Sequence, residues 1–175
     1  YDAKHNQENG EGNQDGQVCD ESWNCGTEGP SRKRKIQELR LRQIKNALTM
    51  LYLSAGTPVL LSGGESGNTP GGHNNPSCQD NETAWVDWKS GKVNQEILDF
   101  TKRLIAFRKD HQILRMEKEL RIMDTRSCGY PDLSYHGEKA WYGEFENGRR
   151  HLGVLYCGLY AGEQCFIYAA YNLHW

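Results

Sequence analysis

The 175-residue chain is long enough for one ordinary domain, or for one domain and part of a second. Its 21 basic and 23 acidic side chains give a formal net charge of -2, which excludes an overall positive field that would attract nucleic acid. The mean hydropathy is -0.82, and no apolar run approaches the roughly 20 residues of a membrane-spanning helix, so we predict no membrane partner.

The six cysteines allow two interpretations, a disulfide framework or a set of reduced thiols. They are Cys19, Cys25, Cys78, Cys128, Cys157 and Cys165. The sequence has no C-x-x-C and no Cys/His spacing typical of zinc, so we predict neither a metal site nor a cofactor. Disulfides usually stabilise chains too short for a core, whereas this chain has long apolar helical segments. We therefore favour reduced, mostly buried thiols and a cytoplasmic protein.

Residues 1–31 have the composition of a loop, rich in Asn, Gly, Gln, Asp and Glu. The turn-forming pairs Asn9-Gly10 and Asp15-Gly16 argue against a regular helix or strand. A loop of this length is more often functional or disordered than a simple connection. Because Trp23 and Cys25 would be unusual in a floppy tail, we interpret the segment as a functional loop.

The next segment, from about residue 32 to 55, has the three-to-four spacing of apolar residues that predicts a helix. Ser31 can cap its start, and Gly56 can supply a left-handed residue at its end. Four basic residues at 32–35 lie at the positive end of the helix dipole, which favours a start one turn later. A nucleic-acid patch is the alternative for this run, but no second basic cluster supports it. The nearly apolar stretch 47–55 predicts that the second half of the helix is buried on several sides.

A short apolar run at 57–62 lies between glycines and predicts a central parallel strand. It ends at the flexible Gly63-Gly64 and the carboxylate of Glu65. A helix, a buried strand and a polar loop form the repeating unit of a β/α barrel, in which reactive groups lie where the strands end. A second long loop, rich in glycine and amides, follows at residues 66–91.

A second amphipathic helix is predicted from about residue 95 to 111, with Ile97, Thr101 and Arg108 among the residues on one face. After it the pattern changes to short alternating segments separated by turn signals, which predicts an antiparallel β domain beginning near Arg115. The five predicted strands cover residues 120–123, 133–136, 140–145, 152–156 and 165–171.

The two long loops combine amides, carboxylates and tryptophans, which are the groups that bind sugar hydroxyls and pyranose faces. The same composition is typical of ordinary turns, so composition alone leaves carbohydrate binding open. Glycoside hydrolysis needs two carboxyl groups that flank one bond, and Glu65 is the only carboxylate at the end of a predicted barrel strand. Asp80 and Glu82 lie in a loop, with no sequence reason to face one bond. The scattered histidines are interpreted as structural or surface residues.

Four blocks of this sequence resemble the bacterial glycogen-debranching and isoamylase-type enzymes of the α-amylase superfamily. The loop after the family's seventh barrel strand is similar to Lys4-His5-Asn6, Asn9-Gly10-Glu11, Asn13, Asp15-Gly16 and Ser22-Trp23-Asn24-Cys25-Gly26. The eighth strand is similar to Gly56-Thr57-Pro58-Val59-Leu60-Leu61 with Gly63 and Glu65. The family's order continues with Asn74-Asn75, Cys78-Gln79-Asp80-Asn81 and Trp85-x-Asp87-Trp88. Its C-terminal β domain is similar to Ser134-Tyr135-His136-Gly137 and Tyr171-Asn172-x-His174-Trp175.

The resemblance implies an α/β plus β fold in two domains. Residues 1–112 would form the C-terminal portion of a (β/α)8 TIM barrel, comprising the loop after strand 7, a helix, strand 8 and helix 8. Residues 113–175 would begin an antiparallel β-sandwich domain. Because a strand at 57–62 and the apolar helix before it would lack most of the barrel, we expect exposed apolar surface and self-association.

The resemblance also implies hydrolysis of α-1,6 branch linkages in glycogen-like or starch-derived glucans, with retention, by an Asp nucleophile and a Glu acid assisted by a third Asp. In the family these carboxylates precede the motif that Lys4-His5-Asn6 matches. We therefore assign no catalytic residue and expect the chain alone to be inactive. The substrate-groove candidates are His5, Asn9, Glu65, Asn74, Asn75 and Asp80.

Departures from the family pattern leave alternatives open. Gly64 stands where the family usually has Asp, and Ser77 stands where an aromatic commonly precedes Cys-Gln-Asp-Asn; both bear on substrate choice. The basic run at 32–35 replaces the usual acidic helix start. A transglycosylase of the same superfamily is an alternative enzyme. The rival class is a non-catalytic glucan-binding or interaction module.

Overall fold

The computed structural model describes residues 1–18, 22–88 and 94–174, so Cys19, the end of the second predicted loop and Trp175 lie outside the described residues. The chain divides into two compact units. Unit 1 comprises Tyr1–Thr49 and Val59–Arg103, and unit 2 comprises Met50–Pro58 and Leu104–Trp175. The domain boundary between residues 112 and 113 stays a prediction.

The first helix, α1, spans Arg34–Leu53 and confirms the predicted helix with a slightly later start. Ser31 Oγ accepts a hydrogen bond from the N–H of Lys33, the residue just before the helix, at 3.2 Å. The prediction that residues 47–55 are buried on several sides is wrong. Leu48 and Tyr52 are buried, whereas Met50 is 44% exposed, because only one stripe of this segment packs in the described structure.

Three carbonyl groups in and just after the last turn of α1 are satisfied by one side chain, Arg108. Its Nη1 donates to the carbonyl oxygens of Tyr52 and Ser54, each at 2.8 Å, and its Nη2 donates to that of Gly56. The last carbonyls of a helix have no partner within the helix, and a planar guanidinium can satisfy several at once. Gly56 has a φ of 96°, as predicted for the end of this helix.

The second helix, α2, spans Gln95–Asp110, in agreement with its predicted bounds. It begins after Asn94, whose Oδ1 accepts a hydrogen bond from the Ile97 N–H at 3.2 Å, the usual arrangement of an N-cap. The predicted inner face is confirmed, since Ile97, Thr101 and Arg108 are 2%, 1% and 6% exposed.

A three-stranded antiparallel sheet forms the centre of unit 2, in the order β1-β2-β3. The strands are β1, Leu133–His136; β2, His151–Cys157; and β3, Phe166–Asn172. Alternation places Ile167 and Ala169 on the buried face of β3. Ile167 packs in one core cluster with Ile113 and Leu114, both of which are fully buried in the short 3₁₀ turn Gln112–Arg115.

Two of the five predicted strands, 120–123 and 140–145, do not form. At the first, the Asp132 carboxylate accepts the N–H groups of Arg121 and Ile122, each at 2.8 Å, and Ile122 has a φ of 56°. At the second, Trp141 has a φ of 67° and its N–H donates to His136 Nδ1 at 2.8 Å. Backbone donors bound to side chains cannot pair in a ladder, and left-handed residues break the extended backbone.

The predicted parallel strand at 57–62 is also absent, and the segment is unpaired chain that ends in a turn. Val59 is 82% exposed and Leu61 is 75% exposed. A parallel strand needs a hydrogen-bonding neighbour, and the described residues supply none here. The observed fold is therefore α/β with a three-stranded antiparallel sheet.

The five described cysteines are free thiols, in agreement with the reduced interpretation. Only Cys25 and Cys157 are buried, so the expectation that most are buried is wrong for the described set. Among the described residues, no helix is both long enough and apolar enough to cross a membrane.

Candidate functional site

Two loops of unit 1 meet through side-chain amides and one carboxylate, which we call the amide cluster. Its members are Asn6, Asn9, Asn13, Asp15, Asn74, Asn75 and Gln79. Asn6 is at its centre and is 0% exposed. Its Oδ1 accepts the Asn74 N–H at 2.9 Å, and its Nδ2 donates to Asn74 Oδ1 at 2.7 Å and to the Asp15 carbonyl at 3.1 Å. One buried side chain thus connects residues far apart in the sequence, with both of its polar atoms satisfied.

Asn9 makes a second connection between the same loops. Its Nδ2 donates to Asp15 Oδ2 at 2.7 Å and to the Asn75 carbonyl at 3.0 Å, and its Oδ1 accepts from Gln79 Nε2 at 2.6 Å. Asn75 Nδ2 also donates to Asp15 Oδ2, at 2.9 Å. The hydrogen bonds from Asn9 and Asn75 lower the pKa of Asp15, because both donors favour its charged form. Asp15 is therefore an ionised acceptor at neutral pH.

The backbone of the first loop is shaped to allow this close approach. Gly16 has a φ of 72°, and a Cβ built there would lie 2.3 Å from Asn74 Oδ1, so glycine is required on two grounds. Asn13 has a φ of 63°, a conformation that Asn tolerates better than most residues. Its Oδ1 accepts the Asn6 N–H at 2.7 Å, and its Nδ2 donates to the Lys4 carbonyl at 3.1 Å.

Two buried polar atoms beside these contacts lack a hydrogen-bond partner among the described residues, Asp15 Oδ1 and His73 Nε2. His73 Nδ1 accepts the Asn75 N–H at 3.2 Å, so in the neutral ring Nε2 carries the proton. The two loops therefore offer one unused acceptor and one unused donor. Both atoms are buried, so neither is open to a ligand in this structure.

His5 lies in a second network, around Glu28. Its Nε2 is 3.2 Å from Glu28 Oε1, and the same carboxylate accepts the Asp2 N–H at 2.9 Å and Asn24 Nδ2 at 3.1 Å. These contacts, the Asp2 N–H first, lower the pKa of Glu28 to about 2. The His5 N–H also donates to the Gly72 carbonyl at 2.9 Å, next to the buried His73.

The structure brings together three of the six sequence-derived candidates, Asn9, Asn74 and Asn75. Glu65 lies in the 3₁₀ turn Gly64–Ser66 and is half-buried, with its carbonyl 3.5 Å from Thr101 Oγ1. Asp80 is exposed, and its Oδ1 accepts the indole N–H of Trp85 at 2.9 Å. Among the described residues, no side-chain hydrogen bond joins Glu65 or Asp80 to the amide cluster.

The sequence analysis places four residues that organise the site in family-like motifs but does not include them among the groove candidates. Asn6, Asn13, Asp15 and Gln79 lie in predicted loops, where their types are equally typical of turns. His73 was interpreted as one of several structural or surface histidines. The usable signal was the repetition of Asn and Asp within a few residues in two separate loops, but only the structure shows that Asn6 is buried.

A scan against family models gives no match. The chain is 42% identical over 118 residues to a glycogen operon protein GlgX homolog of Mycobacterium bovis, covering 67% of this chain and 16% of that protein. It is 37% identical over 158 residues to a glycogen debranching enzyme of Pectobacterium carotovorum, and this match covers 90% of this chain and 23% of that enzyme. It is 31% identical over 176 residues to the chloroplastic isoamylase SU1 of Zea mays, and this match covers 98% of this chain and 20% of that enzyme. The chain thus spans about a fifth of the length of these curated relatives. This similarity shows that the chain belongs to the family of glycogen debranching and isoamylase-type enzymes.

Proposed function

We propose that this chain is part of a glycoside hydrolase that cleaves α-1,6 branch linkages in glycogen-like glucans. The observation that carries the proposal is its similarity, over up to 98% of its length, to proteins named as glycogen debranching enzymes and isoamylase. The proposed substrate is glycogen or starch-derived branched oligosaccharide, and the proposed location is the cytoplasm.

The reacting carboxyl groups are proposed to lie upstream in a longer protein. A retaining glycosidase needs a general acid that stays protonated near neutral pH, which requires a raised pKa. Four carboxyl groups of the described residues have a lowered pKa instead; they are Asp15, Glu28, Asp124 and Glu144. Two amides also occupy Asp15 Oδ2, so this oxygen is a poor nucleophile.

We propose that His5, Asn9, Glu65, Asn74, Asn75 and Asp80 belong to the substrate groove of that longer protein. Within this set, Asn9, Asn74 and Asn75 would fix the shape of the loops, because their side chains already bind other protein groups. Trp85, which is 56% exposed with its indole N–H bound to Asp80, would offer a flat surface to a pyranose ring.

The barrel is likewise proposed for the longer protein. Residues 57–62 are unpaired here, and the exposed Val59 and Leu61 are the side chains that neighbouring strands would cover. The antiparallel strands of unit 2 would belong to the β domain that follows the barrel.

The test is the release of reducing ends from a branched α-glucan by this chain, with a longer protein that contains it measured in parallel. Activity in the longer protein alone is the expected result. Activity in this chain alone would mean that a carboxylate within it is catalytic and would overturn the assignment of an upstream pair.

A titration with maltooligosaccharide, monitored by tryptophan fluorescence, distinguishes a non-catalytic glucan-binding module from part of a hydrolase. Binding by this chain, with an equally inactive longer protein, would favour a non-catalytic glucan-binding module. Trp85→Ala should abolish any such fluorescence response if the exposed indole is the contact, whereas Trp23→Ala, which removes another exposed indole of unit 1, serves as the control.

A further inference from the structure

Three potential metal ligands of unit 2 converge on one point, outside the amide cluster. His111 follows α2 directly, and Glu163 and Cys165 lie in the connection that leads into β3. His111 Nδ1 is 3.6 Å from Glu163 Oε2 and 3.8 Å from Cys165 Sγ, and Cys165 Sγ is 3.5 Å from the same carboxylate oxygen. All three residues are partly buried.

The backbone holds these groups in place. Glu163 Oε1 accepts the Gln112 N–H, which leaves Oε2 for His111 and Cys165. The Gly158 N–H donates to the Cys165 carbonyl at 2.9 Å, and the Gly158 carbonyl accepts the Glu163 N–H at 2.9 Å. A Cβ on Gly158 would lie 2.9 Å from Cys165 Sγ, so the absence of a side chain there gives the sulfur its space.

The geometry does not suit a catalytic thiol. In a nucleophile–histidine–acid arrangement the histidine uses one ring nitrogen for the nucleophile and the other for the acid. Here both Glu163 and Cys165 lie against the same nitrogen, Nδ1. Burial and then the Glu163 carboxylate raise the pKa of the Cys165 thiol, the opposite of what an activated thiolate needs.

A second cluster of Glu138, Glu144 and His151 serves as a comparison. There Arg149 lies 3.3 Å from each of the two carboxylates, so a cation already neutralises the set. Among the described residues, no arginine or lysine forms an ion pair with Glu163.

We propose that His111 Nδ1, Glu163 Oε2 and Cys165 Sγ bind a divalent ion of the zinc class, with a fourth position open to water. Zinc bond lengths of about 2.0–2.3 Å place tetrahedral ligand atoms roughly 3.3–3.6 Å apart, so the observed separations need close by only a few tenths of an ångström. On binding, the thiol loses its proton to solvent and the thiolate forms the metal–sulfur bond. The ion would cross-link the end of α2 to the start of β3.

Cobalt(II) titration of the reduced, metal-free chain tests the site, because Co²⁺ reports its ligands by absorption. We expect the visible bands of a four-coordinate ion together with a near-ultraviolet thiolate-to-metal band, both bleached when Zn²⁺ displaces Co²⁺. A spectrum without a thiolate band would overturn the proposal.

Three variants identify the ligands. Cys165→Ser, His111→Gln and Glu163→Gln should each weaken Co²⁺ binding by more than about 100-fold, since even indirect partners of a metal site cost 10–100-fold. Glu163→Gln retains an oxygen for the Gln112 N–H, so it tests the ligand with little risk to folding. Cys78→Ser, which removes an exposed thiol of unit 1, should leave binding and spectrum unchanged. Equal affinity in all four variants would show adventitious binding and reject the site.

Discussion

A single buried side chain, Asn6, joins the two loops of unit 1 through three hydrogen bonds of its amide group. Its amide satisfies an N–H and two oxygen atoms of residues that are themselves partly buried. Leaving a buried polar group unpaired costs more than a normal hydrogen bond contributes. The stability of these loops therefore depends on the amide as a whole and not on one contact.

Asn6→Ala should lower the free energy of unfolding by about 2–4 kcal/mol, because it leaves the Asn74 N–H and Asn74 Oδ1 without their partner and leaves the Asp15 carbonyl with Lys4 Nζ alone. Urea unfolding followed by circular dichroism measures the change. Gln14→Ala, an exposed position of the same loop, is the control and should stay within about 0.5 kcal/mol of the original chain. Equal effects at the two positions would contradict the role given to Asn6.

Glu28 should titrate far below its ordinary pKa of 4.5, with a midpoint near the value of about 2. Because the folded-state pKa is depressed, the stability from this carboxylate is present above pH 4.5 and is lost as the pH falls toward 2. Carbon-13 NMR of the side-chain carboxyl measures the midpoint directly. Asn24→Ala removes one donor and should raise it. A midpoint close to 4.5 in the unaltered chain would reject the network around Glu28.

At the scale of elements, the ends of both helices are determined by side chains from outside their first or last turn. Asn94 caps the start of α2, and Arg108 satisfies three carbonyls in and just after the last turn of α1. Burial lowers the pKa of Arg108, but a guanidinium titrates so high that it stays charged. Three carbonyl oxygens accept hydrogen bonds from that charged group.

Arg108→Met should destabilise the chain by about 2–4 kcal/mol, since it keeps much of the side-chain volume but leaves three carbonyl groups without a donor. Thermal and urea unfolding measure the loss. Lys102→Met makes the matching change at an exposed position of the same helix and should have little effect. Similar midpoints for the two variants would show that the guanidinium contacts contribute little.

The sequence was sufficient for elements whose signal is local. The three-to-four spacing predicts both helices, and it places Ile97 and Thr101 on the inner face of α2, where the structure has them. Alternation was insufficient for strands, because it does not say whether a partner exists. Residues 120–123 alternate well enough, but Asp132 takes two of their backbone donors. The sequence likewise predicts that the site is made of loop residues rich in amides. It does not predict that Asn6 is buried or that His73 Nε2 lacks a partner among the described residues, because both depend on contacts between distant segments.

At the scale of the whole molecule, unit 1 and unit 2 differ in how they are stabilised. The loops of unit 1 depend on a dense set of polar contacts, whereas unit 2 has an apolar core on its sheet. Exposed apolar side chains in unit 1 include Val59 and Leu61, on the segment that was predicted to be a strand. Exposed apolar residues two positions apart on an unpaired segment favour pairing with another chain.

We propose self-association of this chain through residues 59–61, with a second copy as the partner. Val59→Asp combined with Leu61→Asp should shift the sedimentation profile at micromolar concentration toward monomer. Val18→Asp is the matched control, because Val18 is 83% exposed but lies in the first loop, outside residues 59–61. A chain that is monomeric before any substitution would contradict the proposal.

The amide cluster also has a consequence for the chemical ageing of the protein. An Asn followed by Gly is prone to deamidation, since the small residue lets the next backbone nitrogen attack the side-chain amide, and the chain has such pairs at Asn9-Gly10 and Asn147-Gly148. Asn147 is exposed in a turn, whereas three hydrogen bonds hold the Asn9 amide.

We expect peptide mapping by mass spectrometry of the stored chain to show deamidation at Asn147 well before Asn9, and equal rates would mean that the cluster opens freely in solution. Once Asn9 is converted, its new carboxylate would face Asp15 in the same loop and the Asn75 carbonyl of the other loop, where a donor had been, so both contacts would become repulsive. Damage at this one amide would therefore remove a contact within the first loop and a contact between the two loops at once.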